Sequence, residues 1–599
     1  MGPPSPGKHP IYFGAAERPL FGFYHPPSGT GVRPLGVVLC NPIGDDLIRG
    51  HRAVRHLAEA LAAAGFAVLR FDFDGTGDSA GDERDADRVA TWRADVARAA
   101  AELRSRSGVE ALALLGLKLG GTLAMLAAED LGGVEALVLW GAHESGSAYV
   151  SEATKAHKMH TMLEPASFSG GPPSTDGQEA LGFLLTPQTL ADLAVVDLFA
   201  TGRSPARRTL VVDTANLSSA NALGAHLTNL GSRVTTRQMP GQRFLITRPQ
   251  DSEVPQAVID AITGWLGEDC PLEDRPLGGP TPTPVAEAQS LRERAVIFGG
   301  PRQLFGVLTS PPPAAARADL PAIIMLNAGA IHRIGAHRLY VPMARRWAAL
   351  GFQVLRVDLS GIGDSPVAAG GQENLTYPLE RGEDVQLAMD FLSQDVRANR
   401  FILTGLCSGG DITFEIGFRH PRVAGAIMIN PRTFCVNDLG MVDSYQQARA
   451  YQGSLLQTDS LKKLLRGDAD VARAARIVAP KVADQLKRAV SKALSGGRTN
   501  SGDPSSSEKP RENDVPKCLR LMAERGVDTF LVVTEHDPGV DYVDANYGRE
   551  MRALASLSDY RRTEVKGTDH TFTARWAQDY VSTAITDHLK QRYLTSRAA

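Results

Sequence analysis

Residues 404–410, Thr404-Gly405-Leu406-Cys407-Ser408-Gly409-Gly410, put a thiol at a point where the chain must turn sharply. The apolar run 400–404 ahead of them reads as a short buried strand, and 411–420 reads as a helix. A strand, a tight Gly-x-Cys-x-Gly turn and a helix make a nucleophile elbow. The flanking glycines let the strand and helix backbones run close together. Cys407 then stands at a helix N-terminus, where a thiolate is stabilised. A buried structural cysteine would ask nothing more of the chain, whereas a nucleophile needs a base, an orienting acid and an oxyanion hole.

Candidates for these follow in the order nucleophile, acid, base. Residues 529–534 read as a strand, and the loop after it is Glu535-His536-Asp537-Pro538-Gly539-Val540-Asp541. A carboxylate just past a strand end is where an orienting acid belongs; Asp537 is favoured, with Glu535 and Asp541 as alternatives. After another apolar strand at 563–565, the loop Gly567-Thr568-Asp569-His570-Thr571-Phe572 leads into an amphipathic terminal helix, 574–593. His570 is the candidate base. The oxyanion hole would combine the amide of Ser408 with an amide of the early loop 327–333, Gly329 or Ala330. His332 and Arg333 of that loop either line the pocket or hold the loop. No metal constellation and no cofactor motif are evident.

The elements that must position these groups occur twice. Residues 65–79 match 351–365 at an offset of 286, which Asn41/Asn327 and Arg52/Arg338 share. The elbow itself matches Gly116-Leu117-Lys118-Leu119-Gly120 at an offset of 289. In the first half, strands are expected at 35–41, 66–71, 112–116 and 136–140, and helices at 52–64, 91–104 and 119–130. The second half repeats this order over 321–430. Alternating strands and helices, with apolar runs rather than period-two strands, predict an α/β architecture: two tandem domains, each a mostly parallel sheet covered by helices. A longer stretch after the sixth strand of each half, 143–207 and about 431–515, is expected to cap the sheet. The proline- and glycine-rich stretch 267–293 reads as a linker between domains 1–266 and 294–599.

The 599 residues are too many for one core and suit two domains. A net charge of −3 gives no electrostatic case for nucleic acid. The five cysteines lack paired spacing, which argues against a disulfide framework or a zinc site and fits a reducing cytosol. The first ten residues lack the apolar segment of a secretory signal, and no apolar run of 18 residues exists. Residues 461–498 carry ten Lys/Arg and three Asp, a local balance of 10 − 3 = +7. They read as a solvated helical face or as a landing surface for an acidic carrier protein or a phosphorylated cofactor. Residues 495–513 are expected to be disordered.

Residues 356–365, 405–410 and 567–572 and the run Asn430-Pro431-Arg432-Thr433-Phe434 together resemble the α/β-hydrolase superfamily, more narrowly the serine-aminopeptidase-like, exosortase-associated hydrolases. The resemblance extends over almost the whole chain, twice, and departs from the family in placing cysteine where most members carry serine. The Gly-x-Cys-x-Gly-Gly turn is also similar to that of polyhydroxyalkanoate synthases. Cysteine suits acyl transfer, so the expected activity is that of a cysteine-type acyl hydrolase or acyltransferase using Cys407, His570 and Asp537. Its substrate would be a small acyl ester or thioester, presented by CoA or an acyl carrier protein in the thioester case. In the first half Lys118 occupies the elbow, and the loop 241–252 carries Gln250 where the family pattern expects histidine, although Asp213 remains. That half is expected to be a pseudo-enzyme. The competing expectations are a non-catalytic binding or scaffold protein and a peptidase.

Overall fold

The computed structural model describes residues 7–163, 174–213, 217–240, 243–273, 287–434, 514–535 and 537–595. Its strands, in chain order, are β1 (His9–Ala15), β2 (Arg18–His25), β3 (Leu35–Cys40), β4 (Ala67–Phe71), β5 (Ala111–Leu117), β6 (Ala136–Trp140), β7 (Gln178–Ala180), β8 (Phe183–Leu185), β9 (Arg208–Asp213) and β10 (Arg233–Gln238) in the first half. In the second they are β11 (Glu287–Ala288), β12 (Glu293–Phe298), β13 (Leu304–Thr309), β14 (Ala322–Leu326), β15 (Val354–Asp358), β16 (Phe401–Leu406), β17 (Val423–Ile429), β18 (Asp528–Thr534) and β19 (Tyr560–Val565).

The first sheet has the order β1-β2-β4-β3-β5-β6-β9-β10 and the second β11-β12-β13-β15-β14-β16-β17-β18-β19. From β4 onward in the first and β15 onward in the second, every pairing is parallel. An antiparallel hairpin, β1-β2 or β12-β13, extends one edge of each. This is the α/β-hydrolase fold, present in each half.

Successive residues of a central strand are buried on opposite faces, which is why these strands read as continuous apolar runs. Val37 and Leu39 face the helices Asp45–Ala63 and Gln256–Glu268, while Val38 and Cys40 face Arg88–Ser107 and Leu119–Leu131. The second half repeats the arrangement, with Tyr340–Ala349 and Arg575–Leu589 on one face and Arg381–Asp395 and Ser408–Gly417 on the other. The first cap is built from the helix Gly146–Leu163, the hairpin β7-β8 and the helix Pro187–Ala194. Most of the second cap, including the basic stretch 461–498 and the stretch 495–513, lies outside the described residues. The expected linker is shorter than the sequence suggested: the helix Gln256–Glu268 enters it, and β11 and the first residue of β12 lie within its C-terminal end. Among the described residues no helix is long and apolar enough to cross a membrane.

The halves meet through equivalent surfaces. Phe21 and Phe23 of β2 pack on Phe305 of β13, with the Phe23 and Phe305 ring centroids 5.0 Å apart. Arg70 of the first half pairs with Asp364 of the second, and Arg356 of the second pairs with Asp78 of the first. Since 356 − 70 = 286 and 364 − 78 = 286, these two ion pairs are one contact made twice, as in a two-fold dimer. Arg333 joins both, lying 2.7 Å from Asp78 and 2.9 Å from Asp364. Burying such charges costs several kcal/mol per ion unless each is closely partnered. Here Asp78 and Asp364 each contact at least two cations.

Candidate functional site

The β16 strand ends in the turn the sequence implied. Cys407 has φ 61° and ψ −120°, a left-handed conformation unusual for a residue with a side chain. Its amide donates to Ile429 O at 2.9 Å, and it stands at the N-cap of the helix Ser408–Gly417. The glycines are required by contact. A Cβ on Gly405 would lie 2.5 Å from the backbone of Gly409, and one on Gly409 would lie 2.8 Å from Asn327 O. Tyr340 accepts the amide of Leu406 on its hydroxyl at 2.7 Å, bracing the last strand residue before the turn.

His570 and Asp537, 33 positions apart, are brought together. His570 Nδ1 lies 2.5 Å from Asp537 Oδ2, while Asp537 Oδ1 accepts the Gly539 amide at 2.9 Å as the cap of the following helix. Asp537 is buried, and of the three candidate acids it is the one in contact with His570. Glu535 lies 3.7 Å from Lys566 Nζ, and Asp541 sits in the helix that Asp537 caps. The Cys407 thiol is near enough to act electrostatically on the imidazole. Burial by itself would lower the basicity of His570. Asp537 and Cys407 outweigh it and push its pKa well above the ordinary histidine value.

The loop bearing His570 is held from several directions. Asn430, at the end of β17, donates to His570 O at 2.7 Å and accepts the Thr534 amide at 2.8 Å, so it ties the base loop to the acid loop. Asp569 accepts the Thr573 amide and hydroxyl and lies 3.2 Å from Nε2 of His160, which belongs to the first half's cap. Asn430 entered the sequence reading only as part of a motif. Its place at a strand end, after the apolar run of β17, was the available signal.

The oxyanion candidates divide. Ser408 begins a helix, so its amide has no partner within it. The Ala330 amide has no partner among the described residues. The expectation for Gly329 needs correction: its amide donates to Ser408 Oγ at 2.9 Å and is therefore occupied. That bond, with another from Ser408 Oγ to Asn327 O at 3.4 Å, fixes the Ser408 hydroxyl against the loop in a site 1% exposed. The hydroxyl is thus committed away from His570. His332 and Arg333 do not line the thiol site. Arg333 is in the interdomain charge cluster, and His332 stacks on His51 of the first half at 4.0 Å.

The first half keeps the turn without the partners. Lys118 has φ 55° and ψ −128°, and its amide donates to Trp140 O at 3.0 Å, as Cys407 does to Ile429. Its ammonium pairs with Glu152 at 2.6 Å, and Glu152 also lies 3.1 Å from His143 Nε2. Gln250 turns outward to the other half, where its Oε1 would lie 3.5 Å from a Cβ on Gly329.

A family model described as serine aminopeptidase, S33, matches residues 49–169 and 322–479. No curated protein matches the sequence. Among solved structures, Est1E from Butyrivibrio proteoclasticus, solved with ferulic acid bound, is 16% identical with a TM-score of 0.32, over 43% of this chain and 97% of that one. XC6422 from Xanthomonas campestris, described as an a/b serine hydrolase without lid, is 18% identical with a TM-score of 0.28, over 45% and 97%. The acylaminoacyl peptidase of Pyrococcus horikoshii is 11% identical with a TM-score of 0.31, over 46% of this chain and 43% of that one. The family model falls once in each half, each time across the repeated elbow, and with the sheet order it supports the α/β-hydrolase superfamily for this chain.

Proposed function

We propose that the second half is a cysteine-type acyl hydrolase or acyltransferase. The observation that carries this is the His570–Asp537 contact, made in the half whose elbow carries Cys407 at a positive φ. His570 takes the thiol proton as Cys407 Sγ attacks the carbonyl carbon of an ester or thioester. The tetrahedral oxyanion would be held by the amides of Ser408 and Ala330. Collapse breaks the bond to the alkoxide or thiolate leaving group, which receives the proton from His570. The acyl group then sits on Cys407 as a thioester, and water, an alcohol, an amine or another thiol accepts it with His570 as base. Asp537 keeps Nδ1 protonated and aimed, leaving Nε2 for the thiol. CoA and acyl carrier proteins are the thioester donors that fit this chemistry. The first half serves as support, since Lys118 is paired with Glu152 and no histidine replaces His570 there.

Hydrolysis of a series of p-nitrophenyl esters and acyl-CoA thioesters tests this reading. The wild type should turn over members of one series, and Cys407→Ala should lose at least about a hundredfold. Activity retained in that variant, or cleavage of aminoacyl anilides alone, would refute it; the latter outcome would favour a peptidase. No turnover with either series would favour the scaffold reading.

A further inference from the structure

A hollow lined by both halves does not include Cys407 among its lining residues. It lies between the two halves, beneath the first half's cap. Ile43, Leu47, Phe183, Leu185, Leu339 and Pro342 form much of its apolar wall, the last two belonging to the second half.

Arg88 is the unusual group in this cavity. It is 6% exposed and sits over Trp92, with its guanidinium carbon 4.7 Å from the ring centroid. Its Nη2 reaches within 3.1 Å of where a Cβ on Gly75 would stand, and Gly75 also lines the cavity. Among the described residues the guanidinium makes no hydrogen bond and no ion pair, and its Nε is buried without a partner. A buried cation left this way is costly. The neighbouring carboxylates are committed elsewhere: Asp74 is bound by Arg18, and Glu83 by Arg575 and the Leu184 amide. The Tyr149 hydroxyl-bearing side chain stands on the same wall.

We propose that this cavity binds a monoanionic carboxylate with an apolar body, its headgroup on Arg88 and Tyr149 and its body along the aliphatic and aromatic wall. The headgroup charge follows from the lining. Arg88, Arg338 and Arg575 stand against Asp82 and Glu83, a balance of 3 − 2 = +1 that one carboxylate neutralises and a phosphate dianion would overshoot. The site is separate from Cys407 and does not depend on its chemistry.

Isothermal titration of the full chain with decanoate, decan-1-ol and decyl phosphate tests the assignment. Saturable decanoate binding is expected, at least about tenfold tighter than that of the alcohol, reflecting one charge-assisted contact. Arg88→Met should weaken it by at least about tenfold, and Arg88→Lys should recover part of the loss. Phe183→Trp, which fills the space from the cap side and leaves Arg88 in place, should abolish it. Cys407→Ala should bind as the wild type does. Absent decanoate binding, equal affinity for the alcohol, tighter binding of the phosphate, indifference to Phe183→Trp, or loss in Cys407→Ala would each overturn it.

Discussion

Replacing Asp537 by Asn preserves the shape of the side chain and removes the charge facing His570. Two unit charges about 4 Å apart at an effective dielectric of about 20 interact by about 4 kcal/mol. The His570 side chain is 30% exposed, so solvent screening reduces that to about 2 kcal/mol. This corresponds to about 1.5 pKa units of imidazolium stability, or roughly a thirtyfold change in the population of a thiolate–imidazolium pair. Alkylation of Cys407 by iodoacetamide reads that population without a substrate, and peptide mapping separates it from the buried Cys40, Cys270 and Cys518 and from Cys435, which lies outside the described residues. The wild type should alkylate readily near neutral pH. In Asp537→Asn the rate there should fall about thirtyfold, and the two proteins should converge above the ordinary thiol range near pH 8.5. Superposable pH profiles would refute the claim that Asp537 acts through His570 on this thiol.

Gly409→Ala sets a methyl 2.8 Å from Asn327 O and 2.9 Å from Leu326 O, both backbone, so melting should show a loss of about 1–3 kcal/mol. The Asp364 carboxyl is raised by burial but drawn well below its ordinary value by Arg70, Lys8 and His51, which outweigh it. Its stabilising effect is therefore complete above about pH 4 and is lost as pH falls through the folded-state value. Asp364→Asn should cost about 3–5 kcal/mol in urea unfolding near neutral pH and flatten the acid limb of the stability profile. Lys118→Met breaks a pair whose Glu152 side chain is 54% exposed, so stability should change by no more than about 1 kcal/mol. Ester or thioester turnover should stay within about twofold in that variant, measured beside the wild type.

The repeated elements were legible because parallel strands buried on both faces leave unbroken apolar runs, and Ala136–Trp140 agrees to the residue. Helix starts were placed late. Asp45–Ala63 begins seven residues before the expected position, since Asp45, Asp46 and Arg49 break the apolar rhythm that signals a helix. The hairpins β1-β2 and β12-β13 were not anticipated; they lie at the sheet edge, outside the repeat used to align the halves. The meeting of Asp537 with His570 was readable because both follow strand ends. The commitment of Gly329 to Ser408 Oγ was not, because it depends on where a buried hydroxyl turns. The interdomain charges carried an unused signal: Arg70 and Arg356 interrupt two equivalent apolar strands at the same place, and both are buried.

Intact-mass spectrometry of the full chain, acid-quenched within seconds of mixing with an activated acyl ester or acyl-CoA, tests the central claim most directly. The account expects a mass increase of one acyl group, mapped to the peptide containing Cys407, absent from Cys407→Ala and persisting longer in His570→Ala if it forms there at all. An adduct on Ser408 or Lys118, or an unmodified chain during active turnover, would contradict it.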